Sequence, residues 1–163
     1  RKTTSVLTEE MKGSEHRILA QGITGSRESI TETFRKDISS VLMGTHSFWE
    51  GVDVVGEALS CVVIARLPFA VFTDPIIEAR CEQIERKGGN AFLDFSVPNA
   101  VIRFRQGFGR LIRHRSDRGI VIIADRRLIT KRYGSWFYGS LPLQCLTYGS
   151  EPELLQAIQP FLR

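Results

Sequence analysis

The chain has 163 residues, 42% hydrophobic and 25% charged, a composition that supports one packed domain and excludes a disordered segment. Its 22 basic and 18 acidic residues leave a net charge of +4, compatible with an anionic partner but too small to demand one. Cys61, Cys81 and Cys145 are scattered without a C-x-x-C pair, and His16, His46 and His114 share no ligand spacing; neither a disulfide framework nor a metal or iron–sulfur site is expected from this chain alone. No apolar run approaches the roughly 20 residues that span a bilayer, and the amino-terminal residues lack the apolar centre of a signal peptide. The expected setting is the cytoplasm, with no membrane partner.

In chain order, residues 17–21, 40–44, 61–65 and 119–124 are continuous β-prone runs rather than alternating ones, the pattern of strands buried on both faces of a parallel sheet. Between the first two, Gly25 and Ser26 supply a loop and an N-cap, and Ile30, Phe34 and Ile38 recur on one helical face. A second helix is expected from Pro75 towards Arg86, stopped by Lys87-Gly88-Gly89. A third is expected to open near Pro98, a natural first-turn residue. Arg132 to Tyr138 mixes aromatics with a basic residue; packing in the core is the stronger reading, stacking on a nucleic acid the weaker. Residues 151–161 form a terminal amphipathic helix with Leu154, Leu155, Ile158 and Phe161 apolar. Strand, helix, strand, strand, two helices, strand is a βαβ series.

The third helix carries the chemistry. At 100° per residue, Arg103, Gln106, Arg110 and Arg113 fall within roughly 80° of one another, while Val101, Phe104, Phe108, Leu111 and Ile112 gather on another sector. An arginine-rich face is commonly just a solvated surface. Against that, Gly107 and Gly109 each cost about 1 kcal/mol relative to alanine inside a helix, which suggests that something approaches closely. Gln106, which both donates and accepts, suits recognition. Each guanidinium offers a planar fork of donors that matches phosphate oxygens.

Residues 106–113, Gln-Gly-Phe-Gly-Arg-Leu-Ile-Arg, resemble the Q-x-x-G-R-x-x-R motif VI of superfamily 2 helicases, in the form used by the DinG/XPD branch. Upstream, Thr45-His46-Ser47-Phe48-Trp49-Glu50-Gly51-Val52-Asp53 is similar to that branch's motif V. Arg66-Leu67-Pro68-Phe69 with Asp74-Pro75, and Asp117-Arg118-Gly119 through Asp125-Arg126-Arg127, also resemble its second motor domain. The likeness spans about residues 21–142, and two motifs in the right order, about fifty residues apart, make it specific.

The resemblance implies an α/β fold: a RecA-like, P-loop NTPase-type parallel sheet with helices on both faces. The family's first strand is expected to be missing, with residues 5–11 the remnant of the helix after it. Residues 1–163 would be the second, C-terminal motor domain, and the first motor domain of the same polypeptide would be its partner. The chain holds no G-x-x-x-x-G-K-[ST] and no D-E-x-[HD], the elements that hold the phosphates and Mg²⁺; alone it is expected to be inactive. ATP and Mg²⁺ would be bound mainly by the other half. Any iron–sulfur cluster of the branch would also sit there, and a fused nuclease is compatible with the family.

By the same resemblance, Arg113 is the γ-phosphate finger, Arg110 its close partner, and Gln106 orients the cleft. Glu50, Gly51, Asp53 and Gly109 face the nucleotide. Thr45, Ser47 and Phe48 contact single-stranded DNA, although an aromatic beside a strand is more often core. The implied activity is half of an ATP-dependent, nucleoid-associated DNA helicase moving 5′ to 3′ on single strands. The alternative is a non-hydrolysing nucleic-acid-binding or interaction module with a helicase-like fold.

Overall fold

The computed structural model describes residues 2–45, 48, 54, 58–70, 74–111 and 118–161. Within them the elements run α1 (Lys2–Glu10), β1 (Ile18–Ala20), α2 (Arg27–Lys36), β2 (Val41–Met43), β3 (Cys61–Ile64), α3 (Pro75–Arg86), α4 (Val97–Leu111), β4 (Ile120–Ile123), α5 (Arg127–Thr130), α6 (Gly134–Gly139) and α7 (Glu151–Ile158). All four expected runs are strands. Each pairs in parallel: β1 with β2, Leu19 opposite Leu42, and β3 with β4, Val62 opposite Val121. Parallel pairing requires a crossover, supplied by α2 for the first pair and by α3 and α4 for the second.

The chain divides into two compact units, one of residues 1–60 and 110–118, the other of residues 61–109 and 119–163. In the first, Leu19, Ile30, Phe34, Val54 and Ala58 form the core. Helix α2 starts where Ser26 caps it, its side chain accepting from Ser29 N–H at 3.3 Å. It ends one turn earlier than the apolar spacing suggests, and Ile38 is 68% exposed. The cause is Asp37, whose carboxylate accepts from both the backbone N–H and the hydroxyl of Ser39 and so offers the chain a turn in place of another helical residue.

In the second unit, α3 matches its expected bounds. Asp74 accepts from Ile76 N–H at the start, with Pro75 in the first turn. At the end Gly88 takes φ +79°, while its N–H bonds Glu85 C=O and that of Gly89 bonds Ile84 C=O, the two-bond stop that a left-handed glycine permits.

The arginine helix departs from expectation. Helical structure begins at Ala91, not at Pro98, capped by Asn90, whose side chain accepts from Leu93 N–H while Asp94 accepts from Asn90 N–H. Phe92–Ser96 is a π turn, with Val97 N–H reaching back to Phe92 C=O. Proline has no N–H and its ring clashes with the carbonyl four residues back; widening the turn just before Pro98 accommodates both. Asn99 Nδ2 donates to Phe95 C=O at 2.7 Å.

From there α4 buries one stripe: Val97, Ala100 and Phe104 at 0% exposure, then Phe108 and Leu111. Phe104 meets Phe137 of α6 edge-on, centroids 5.4 Å apart. Phe69, Phe92 and Tyr133 complete the cluster, in which Phe69 stacks on Phe92 and meets Tyr133 edge-on. Of the segment 132–138, Phe137 and Tyr133 thus pack inside, while Trp136 is 49% exposed. Helix α7 buries no residue and runs into a 3₁₀ turn, Gln159–Phe161; Leu155 and Phe161 are exposed.

Candidate functional site

Opposite its buried stripe, α4 presents Arg103, Gln106 and Arg110. Gln106 is exposed; Arg103 and Arg110 are half-buried, and Arg110 is already engaged by a neighbour. Ile102 shares this side of the helix and is 56% exposed. A Cβ built on Gly109 meets no heavy atom of the described residues within 4 Å, so none of them requires the glycine there. Arg113 lies outside the described residues.

Of the motif V residues, Thr45 and Phe48 are described; Ser47, Glu50, Gly51 and Asp53 lie outside. Thr45 follows β2, at the C-terminal end of a parallel strand, where α/β sheets generally place ligands. It is exposed, and its hydroxyl donates to Gln21 Oε1 at 3.3 Å. Phe48 is partly buried against the core of the first unit, and the Arg27 guanidinium sits 5.8 Å from its ring centroid. A Cβ on Gly44 would come within 2.6 Å of that ring. The structure therefore gives Phe48 a packing role, and Gly44 is the residue that makes room for it.

A polar cluster that sequence reasoning gave no role lies at the C-terminal ends of β3 and β4. The Asp125 side chain is 8% exposed and accepts four kinds of donor. These are Leu67 N–H at 2.8 Å, Arg127 N–H at 3.0 Å, Arg127 Nε at 3.0 and 3.1 Å, and Arg127 Nη2 at 2.6 Å. The Arg127 side-chain hydrogen bonds, with the backbone donors, hold the Asp125 carboxyl at about 2, below its ordinary 3.8, although burial pushes the other way. The same contact raises Arg127, whose guanidinium lies 5.3 Å from the Phe69 ring centroid. Beside this clamp opens a cleft of about 250 Å³ lined by Ala65, Arg66, Ala124, Asp125, Arg126 and Arg127. The available signal was positional: residues 65–66 and 124–126 directly follow two apolar parallel runs.

Among the described residues no group of three or more His, Cys, Asp or Glu could hold a metal ion, and no helix is long and apolar enough to cross a membrane. Burial raises the thiols of Cys61 and Cys145, which makes them poor nucleophiles.

Parallel βαβ pairs with polar residues at their C-terminal strand ends, and an arginine-bearing helix between two of the strands, define an α/β class of domain. The chain belongs to the helicase C-terminal domain family, whose model matches residues 1–144. It is 51% identical over 125 residues, 77% of the chain, to the ATP-dependent DNA helicase YoaA of Haemophilus influenzae, and covers 19% of that protein. Over 155 residues, 94% of the chain, it is 43% identical to a Bacillus subtilis protein named 3′-5′ exonuclease DinG, covering 17% of it. It is 42% identical over 125 residues, 77% of the chain, to the ATP-dependent helicase DinG of Mycobacterium tuberculosis, covering 19% of that protein. The chain thus spans about a fifth of the length of these relatives.

Proposed function

We propose that the chain is the second motor domain of an ATP-dependent DNA helicase that moves along single-stranded DNA, 5′ to 3′, in the cytoplasm. The observation that carries the reading is α4. One continuous helix buries Val97, Ala100, Phe104, Phe108 and Leu111 and turns Arg103, Gln106 and Arg110 the other way; Arg113 joins them by the spacing of the sequence motif. Family membership and relatives named as ATP-dependent DNA helicases support it.

In this reading the first motor domain holds ATP and Mg²⁺ with its own phosphate-binding loop. When bound, ATP supplies a γ-phosphoryl group for transfer to water. Arg113 aims its guanidinium at charge that develops on that group, and Arg110 shares the load. Gln106, exposed and able to donate and accept, fixes the approach of the other half, and the open space over Gly109 lets that half come close. Glu50, Gly51 and Asp53 line the same cleft, while Thr45 and Ser47 hold backbone phosphates of the strand. Any iron–sulfur cluster belongs to the other half.

The test is Arg113→Ala in the full-length protein. An arginine finger is worth about 10³ to 10⁵ in rate, so kcat for DNA-stimulated ATP hydrolysis should fall at least about a hundredfold. ATP affinity and melting temperature should hold, because the contact forms as the cleft closes. Arg113→Lys should restore little, and Arg105→Ala, roughly 80° around the helix, should change little. Equal effects of Arg105→Ala and Arg113→Ala would leave the helix without a catalytic role and favour a non-hydrolysing binding module.

A further inference from the structure

The cleft at the ends of β3 and β4 is not part of either helicase-like motif. Arg66 and Arg126 are its two exposed cations, reaching it from different strand ends sixty residues apart in sequence. Neither forms an ion pair among the described residues. The carboxylate that lines the same cleft, Asp125, is neutralised in place by Arg127, so the field in the cleft is that of two uncompensated guanidinium groups. A solvated pair of arginines with no such companion would be unremarkable on a surface; here both border one concave polar space at the strand ends, where parallel sheets place ligands.

The chemistry of the walls narrows the occupant. No aromatic ring among the described residues lines the cleft. The nearest one, Phe69, has Arg127 over its ring, stacks on Phe92, and meets Tyr133 and Phe137. A nucleobase has nothing to stack on there, whereas a phosphodiester needs only the two planar donor forks. We propose that Arg66 and Arg126 form a backbone-phosphate subsite for single-stranded nucleic acid, separate from Thr45 and Ser47. The proposal rests on the motor-domain reading for its partner, and the Asp125–Arg127 clamp is what keeps the site positive and its two strand ends in register.

Fluorescence anisotropy of a labelled oligo-dT, measured with the chain from 50 to 300 mM salt, tests it. Each phosphate contact to a single strand contributes about 0.7 to the slope of log affinity against log salt. Arg66→Gln/Arg126→Gln should therefore flatten the slope by about 1.4 and weaken binding about tenfold at 0.1 M salt, with an unchanged circular dichroism spectrum and melting temperature. Arg86→Gln/Lys87→Gln removes the same charge from the end of α3 and should leave both quantities nearly unchanged. An unchanged slope in the Arg66/Arg126 variant, with Thr45→Ala still weakening binding, would overturn this subsite while leaving the motor reading intact. No binding of oligo-dT by the unaltered chain would count against both. Equal losses in the two double variants would mean diffuse surface charge and would overturn the proposal.

Discussion

Replacing Asp125 by asparagine keeps the shape of the side chain and removes the charge that Arg127 and two backbone N–H groups hold. The carboxyl titrates at about 2 in the folded chain against 3.8 ordinarily. At 1.36 kcal/mol per unit, that displacement corresponds to about 2 kcal/mol of stability. The figure applies to a side chain 8% exposed, while its partner Arg127 is 40% exposed, so solvent screening reduces it rather than enlarges it. The sign follows from the direction. A depressed carboxyl pKa stabilises the fold above the unfolded pKa, and the contribution disappears as pH falls from about 5 through 2. Asp125→Asn should therefore destabilise the second unit by about 2 kcal/mol at pH 7. That corresponds to roughly 4 to 8 °C in melting temperature for a chain of this size, and the gap to the unaltered chain should close towards pH 2.5. Urea unfolding followed by circular dichroism at pH 7, 5 and 3 measures it. A difference that stays constant from pH 7 to 3, or that is already absent at pH 7, would show that the clamp's charge does not stabilise the fold.

Four further substitutions probe the core and the arginine helix. Phe137→Ala should cost about 3 to 5 kcal/mol in urea unfolding, since Phe137 is 0% exposed and meets Phe104 and Phe69, whereas Trp136→Ala, one residue earlier but 49% exposed, should stay within about 1 kcal/mol. Gly134→Ala drives its Cβ into the backbone carbonyl of Leu128 and should destabilise strongly. Gly109→Ala meets nothing and should raise stability by up to about 1 kcal/mol while lowering ATPase activity of the full-length protein; a stabilised variant with full activity would mean that nothing approaches Gly109.

Where structure is set by neighbours along the chain, the residues announce it. Ser26, the Asp74-Pro75 pair and Lys87-Gly88-Gly89 each act within a turn of their own position, and the helices they bound start or stop there. Apolar strand runs are similarly local, so all four are where the sequence puts them, shorter by one residue at each end, or at the C-terminal end alone for Cys61–Ile64. The start of the arginine helix was misread for an equally local reason. Pro98 is a good first-turn residue, but Asn90 with Asp94 is a competing cap eight residues before it, and a π turn lets the chain keep both. Ile38 was lost to a side-chain turn at Asp37.

The clamp was illegible for a different reason. Asp125-Arg126-Arg127 reads as a polar turn, and only pairing of β3 with β4 brings Leu67 N–H, 58 residues away in sequence, within 2.8 Å of the carboxylate. The motif match named candidate residues but not their environment: it could not tell that Phe48 packs on a core, or that Gly109 meets no described neighbour. These two residues point in opposite directions for the helicase reading. A ring packed against the core of the first unit is poorly placed to leave for a base, since exposing it again would forfeit that burial. Gly109, which no described neighbour requires, costs the helix about 1 kcal/mol, and the proposed approach of the other motor half would account for it. The nucleic-acid contacts are therefore better sought in the hydroxyl of Thr45 and the guanidinium groups of Arg66 and Arg126 than in an aromatic platform, and the nucleotide contacts along the Gln106–Gly109–Arg110 side of α4.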